Sequence, residues 1–128
     1  MMIGTNDVAW WCGETAVQLA ERHAALIDAI LAQAPDAWLL VASIPPESSQ
    51  VIEPNGVDRA TLTVELNAQI ETRVQARASA GARIKFVDVY SALTVNDLRD
   101  GIHPTESGYE KLAQAWFEAL VPLLPESP

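Results

Sequence analysis

One cysteine, two histidines, eight basic residues and an aromatic fraction of 6% mark what this 128-residue chain has little of. A single thiol, Cys12, can form neither an intrachain disulfide nor a cysteine-rich metal cluster. It reads as inert filler rather than as a nucleophile. The histidines, His23 and His103, stand far apart without ligand-spaced partners, so no metal site is expected. Eight Lys and Arg against seventeen Asp and Glu leave a net charge of −9. Nucleic acids and anionic membranes require basic patches, so neither is an expected partner. The acidic excess reads as solvated surface. No apolar run approaches the roughly 20 residues that span a bilayer.

What is present is an aliphatic-rich chain, 49% hydrophobic, of single-domain length over residues 1–128. Such a chain can bury about two-thirds of its unfolded surface. Helical and strand patterns alternate along it. Thr15 and Gln18 form a capping box ahead of a helix to Ala34, with Val17, Ala20, Ala24, Ile27 and Leu31 as its buried stripe. His23 falls in that helix as a surface residue. The run Trp38–Ser43, "WLLVAS", is continuously apolar, as suits a strand covered on both faces. The loop Ile44–Val57 holds three prolines and Asn55-Gly56, which exclude regular structure. A second helix starts near Asp58, with Leu62, Leu66, Ile70 and Val74 on one face. Arg59 and the other charges lie off that stripe, as solvated charge. Ile84–Val89 is the next strand. Thr105 caps a last helix that carries Leu112, Trp116 and Leu120 inward. With Met1–Gly4 as an opening strand, the order is β-α-β-α-β-α, which implies a parallel sheet with right-handed crossovers.

Ligands of such sheets bind beyond the carboxyl ends of the strands. Three loops occupy that edge: Thr5–Gly13, Ile44–Val57 and Tyr90–His103. In "DLRDGIHPTESGY", a tight turn at Gly101 can bring Asp100 to one imidazole nitrogen of His103 and leave the other as a general base. The alternative is a turn in which Asp100 merely caps backbone amides. In "GTND", Gly4 allows close backbone approach and Asn6 offers an amide at a strand end. Together they make a plausible donor pair for an oxyanion, or a simple Asx turn.

"GTND" and "DGIHP", in this order after strands, resemble two signature blocks of the SGNH (GDSL-like) hydrolase family. The stretch "MIGTNDV…LLVASIPP…VNDLRDGIHPTESGYEKLAQAW" is most similar to bacterial acetylxylan esterases of that superfamily. The resemblance implies an α/β fold, a flavodoxin-like three-layer α/β/α sandwich, and cofactor-free hydrolysis of short acyl or acetyl esters, those of sugars included. By position, Asn6 would be the oxyanion-hole asparagine, beside the backbone at Gly4, Asp100 would orient His103, and His103 would be the base.

Two blocks of that family are not in this sequence: the Gly-Asp-Ser nucleophile after its first strand and the glycine after its second. The expectation is therefore a truncated sandwich whose short parallel sheet lacks its first two strands. At about 30 residues per βα unit, about 60 residues would precede Met1. Substitute nucleophiles are sought among Ser43, whose strand adjoins that of Asn6, then Ser48, Ser49, Ser91 and Cys12. Ser107 belongs to a helix start. Trp10 and Trp11 either stack on a sugar ring or cover exposed core. An edge strand at Met1–Gly4 would pair with another chain, giving a homo-oligomer. Three functions follow: an esterase, a catalytically silent remnant or carbohydrate-binding module, or half of a split enzyme whose partner supplies the serine.

Overall fold

Met1 lies flat against a strand. Its backbone O accepts from the Ala42 N–H at 2.8 Å, and its amino group donates to the Leu40 O. This pair of bonds is one rung of a parallel ladder. The computed structural model from which this is read describes residues 1–9, 13–48 and 58–124. Among them β1 (Leu39–Ala42) and β2 (Ile84–Val87) form a parallel two-stranded sheet, with Leu39 opposite Ile84 and Ala42 opposite Val87. The expected opening strand is thus a single rung at Met1. Gly4 ends it: at φ +122° it turns the chain into α1 (Thr5–Ala9), whose first turn closes with Val8 N–H donating to Gly4 O at 3.0 Å. Residues 5–9 are therefore helix where a loop was expected.

The remaining helices follow their caps. In α2 (Ala16–Gln33) the Thr15 hydroxyl accepts from Gln18 N–H at 3.3 Å, and the Gln18 side chain accepts from Thr15 N–H at 2.9 Å. α3 (Arg59–Ser79) starts at Asp58, whose carboxylate accepts from Thr61 N–H at 2.8 Å. α4 (Glu106–Leu120) starts at Thr105, whose hydroxyl accepts from Gly108 N–H at 3.2 Å. Each such cap contributes about 1 kcal/mol.

Strand alternation sorts the side chains to two faces. Val41 and Ile84 join Leu19, Ala20 and Ile27 of α2 and Leu62, Leu66, Ile70 and Val74 of α3 in one core. Ala42 and Val87 join Val89, Leu93, Leu112 and Ala119 in the other, beneath α4. Helices thus cover both faces of the sheet. Every one of the four apolar residues expected on the α3 stripe is buried. Burying a Leu or Ile side chain contributes about 1.5–3 kcal/mol. Two stripes differ from expectation. In α2 the buried line runs through Ala16, Leu19, Ala20, His23 and Ile27, and Val17 is exposed. In α4, Ala119 takes the inward place expected for Leu120, which is exposed.

His23 is accordingly a core residue, 7% exposed, not a surface one. Its Nε2 has no hydrogen-bond partner among the described residues. Burial lowers its pKa from the ordinary value, with Asp7 opposing and the Met1 amino group assisting. The unfolded chain therefore takes up this proton first, near pH 6.5. His23 contributes its full share of stability above that pH and loses it as the pH falls further. Urea midpoints are expected to drop as the pH falls below about 6.5, and His23→Leu should flatten that part of the profile.

Candidate active site

The segment after β2 is tied down before it reaches the chemistry. Asp97 Oδ2 accepts from the Thr94 N–H and hydroxyl at 2.8 and 2.9 Å. Lys111 of α4 donates to its Oδ1 at 2.7 Å, and this bond above all holds the Asp97 pKa at about 2. The Asp97 backbone O accepts from Thr105 N–H at 2.7 Å, so the same residue anchors the start of α4. Between these fixed points Leu98 and Pro104 pair as an antiparallel bridge, and Arg99 N–H donates to His103 O at 2.7 Å.

The loop closed by that bridge is the Asp100–His103 turn. Gly101 adopts φ +87°, a conformation that suits glycine. A Cβ there would also stand 2.2 Å from the Ser48 hydroxyl. Asp100 Oδ1 accepts from the backbone N–H groups of Ile102 and His103 at 3.2 and 2.8 Å, and Oδ2 lies 2.8 Å from His103 Nδ1. The two sequence alternatives hold together here, since Asp100 both caps the turn and meets the imidazole. The His103 backbone N–H bond first, then the imidazole, holds the Asp100 carboxyl well below the usual carboxylate range. An ionised carboxylate is an acceptor only, so Nδ1 carries the proton and Nε2 of the neutral ring keeps its lone pair. The His103 side chain is 60% exposed.

That ring borders a cleft of about 650 Å³. Thr5 and Asn6 of α1 line it together with His103. Met2, Pro45, Ile102 and Leu112 supply apolar wall. The structure thus brings Asn6 and His103 together from opposite ends of the chain. Gly4 is not with them. Its Cα faces Ile44 and Leu66, and it lines a separate cavity of about 170 Å³ beside His23.

The serines divide differently from expectation. Ser43 is 1% exposed. Its hydroxyl accepts from the N–H groups of Val89 and Tyr90, both at 2.9 Å, and faces Asp88 Oδ1 at 3.4 Å. That is a clip between the two strand ends, not an accessible nucleophile. Ser91 N–H is bound by Asp88, and Ser107 pairs with Thr105 in the first turn of α4. Ser48 is exposed, and its N–H donates to Gly101 O at 2.9 Å. No described serine lines the cleft. Trp10, Trp11, Cys12 and Ser49 lie outside the described residues.

Three residues with a part in the site escaped the sequence reading. Arg59 and Tyr109 line the cleft. Its place off the α3 stripe suggests solvated charge, yet Arg59 is the first residue of that helix and lies on the cleft. Asn67 is the third. Its side-chain O accepts from Ile44 N–H at 2.7 Å, and its amide donates to Ile44 O at 2.9 Å. A polar residue one position past Leu66 in a buried stripe was the available signal.

The profile of the GDSL-like lipase/acylhydrolase family matches residues 1–111. The chain belongs to that family. This GDSL-like chain aligns with a family 3 carbohydrate esterase from Talaromyces cellulolyticus at a TM-score of 0.76 and 26% identity, over 95% of this chain and 56% of that one. For the Clostridium thermocellum family 3 carbohydrate esterase the TM-score is 0.69 and the identity 29%, over 95% and 54%. A protein of Acetivibrio thermocellus bearing an endoglucanase name is 28% identical over 127 residues, 97% of this chain and 50% of that protein. The chain therefore spans about half the length of the relatives it matches. The fold matches theirs as a mixed α/β arrangement about a short parallel sheet.

Proposed function

We propose that this GDSL-like protein hydrolyses short acyl esters, acetyl esters of carbohydrates among them. His103 is the general base, Asp100 holds its tautomer and orientation, and Asn6 donates to the developing oxyanion. The observation that carries this is the shared cleft: Asn6 and His103 line one cavity, with Asp100 bonded behind the imidazole. In the reaction, Nε2 takes the proton of an attacking hydroxyl and returns it to the leaving alcohol. The Asn6 amide lowers the energy of the tetrahedral oxyanion, a contribution of about 3 kcal/mol where such donors have been removed. The acyl-accepting nucleophile is assigned to a segment beyond the described residues, of this chain or of a partner.

Organophosphate labelling followed by peptide mass spectrometry tests this. One labelled residue, together with hydrolysis of 4-nitrophenyl acetate, is expected. No label and background hydrolysis would leave the second reading, a carbohydrate-binding domain without turnover, which is favoured by the absence of a described serine from the cleft. We further propose self-association at the outer edge of the Met1 rung, where Met2 and Ile3 are 41% and 43% exposed. Light scattering is expected to give an oligomer, and a monomer at micromolar concentration would reject it.

A further inference from the structure

We propose that the cavity beside His23 is a second binding site, for a small uncharged compound of one ring that bears a hydroxyl, phenol being the simplest. This cavity is separate from the His103 cleft, and no described residue lines both. Neighbouring residues of α1 divide between them, Asn6 on the cleft and Asp7 on the cavity. The apolar walls come from three places: Ile3 ahead of α1, Leu19 and Leu26 of α2, and Leu66 of α3. Their cavity of about 170 Å³ has room for one ring, since about 150 Å³ between such side chains holds benzene.

Size and apolar walls alone would admit any small hydrocarbon. His23 narrows the class. It lines the cavity at 7% exposure, and its buried Nε2 has no partner among the described residues. A buried polar atom in that state is costly and calls for an occupant that bonds it. One water needs only about 10–15 Å³ and would leave the apolar part of the space unfilled. A hydroxyl both donates and accepts, so it satisfies Nε2 in either tautomer of the neutral ring. The charges that line the cavity set the last condition. Asp7 and Arg22 are half-exposed and paired at 2.9 Å, with Glu14 on the other Arg22 nitrogen at 2.6 Å. Both signs are present, so an ionised ligand would meet a like charge whichever its sign.

The test is calorimetric titration at neutral pH with phenol, toluene and benzoate. Toluene has the shape of phenol without its hydroxyl, and benzoate adds a charge. Phenol is expected to bind one site per chain about tenfold more tightly than either, as one hydrogen bond to an otherwise unpaired group would contribute. His23→Leu should bind phenol and toluene alike. Leu26→Trp, at a position 42% exposed, should narrow the cavity and weaken both at least about tenfold with unchanged circular dichroism. His103→Ala should bind phenol as the parent protein does. No phenol binding, which would leave water as the occupant, overturns the proposal. So does equal binding of phenol and toluene by the parent, a folded His23→Leu that keeps the preference, parent affinity in Leu26→Trp, or loss of binding in His103→Ala. Should His23→Leu fail to fold, the parent's preference and Leu26→Trp still decide. None of these readouts involves hydrolysis, so the site stands or falls apart from the esterase reading.

Discussion

Replacing His103 by alanine is expected to lower kcat for 4-nitrophenyl acetate by about 10³-fold, within the 10²–10⁴ range of a positioned general base. The loss follows from geometry rather than from exposure. The His103 ring is held by Asp100 at one nitrogen, and its backbone is held at both ends, N–H to Asp100 and O to Arg99 N–H. The ring so held borders the cleft that Asn6 shares. The folded structure should be nearly indifferent to the change, because the side chain is mostly exposed. Steady-state kinetics beside a thermal melt checks both halves. Unchanged kcat in a folded variant would place any hydrolysis elsewhere. Asp100 should stay ionised throughout neutral and mildly acidic pH, since its pKa is lowered. Its protonation is therefore not expected to shape the acid limb of the rate profile above about pH 5.

Asn67→Ala is expected to cost about 3 kcal/mol of stability. The amide satisfies both backbone groups of buried Ile44, and each group left without a partner costs about 1–3 kcal/mol. For a domain of this size the melting temperature should fall by about 10 °C. The consequence reaches the site. Ile44 lies in the run that follows β1; Pro45 of that run lines the cleft, and the Ser48 N–H donates to Gly101 O. Releasing Ile44 frees one end of the strap that braces the Asp100–His103 turn. Urea unfolding, with hydrolysis measured well below the new midpoint, separates the two effects. A variant as stable as the parent would show that water replaces the amide at no cost.

Much of this was legible in the sequence because it is local. Thr15, Asp58 and Thr105 announce their helices by cap chemistry, and the α3 stripe is a plain three–four repeat that burial follows. The Asp100–His103 turn was readable for the same reason: four residues, one of them glycine, fix its geometry. What failed was set by tertiary context. "MMIGT" has a strand's composition, but β pairing is decided by the neighbour, and only Met1 finds one before Gly4 turns the chain. Ser43 stood at the right strand end, and nothing local shows that two amides of the neighbouring strand's exit claim its hydroxyl. His23 looked polar and hence external, although it shares the line of Leu19 and Ile27. Arg59 and Tyr109 entered the site only when a helix start and a helix face met across the cleft.

The pairing of Met1 with β1 also bears on how the protein should be handled. Any residue joined to its amino group would travel alongside Leu40 and then Leu39, within reach of their backbone groups. An affinity tag fused at the amino end would therefore lengthen the sheet instead of hanging in solvent. Purification handles belong at the carboxyl end, past the 3₁₀ turn Val121–Leu123, where the described chain forms no ladder.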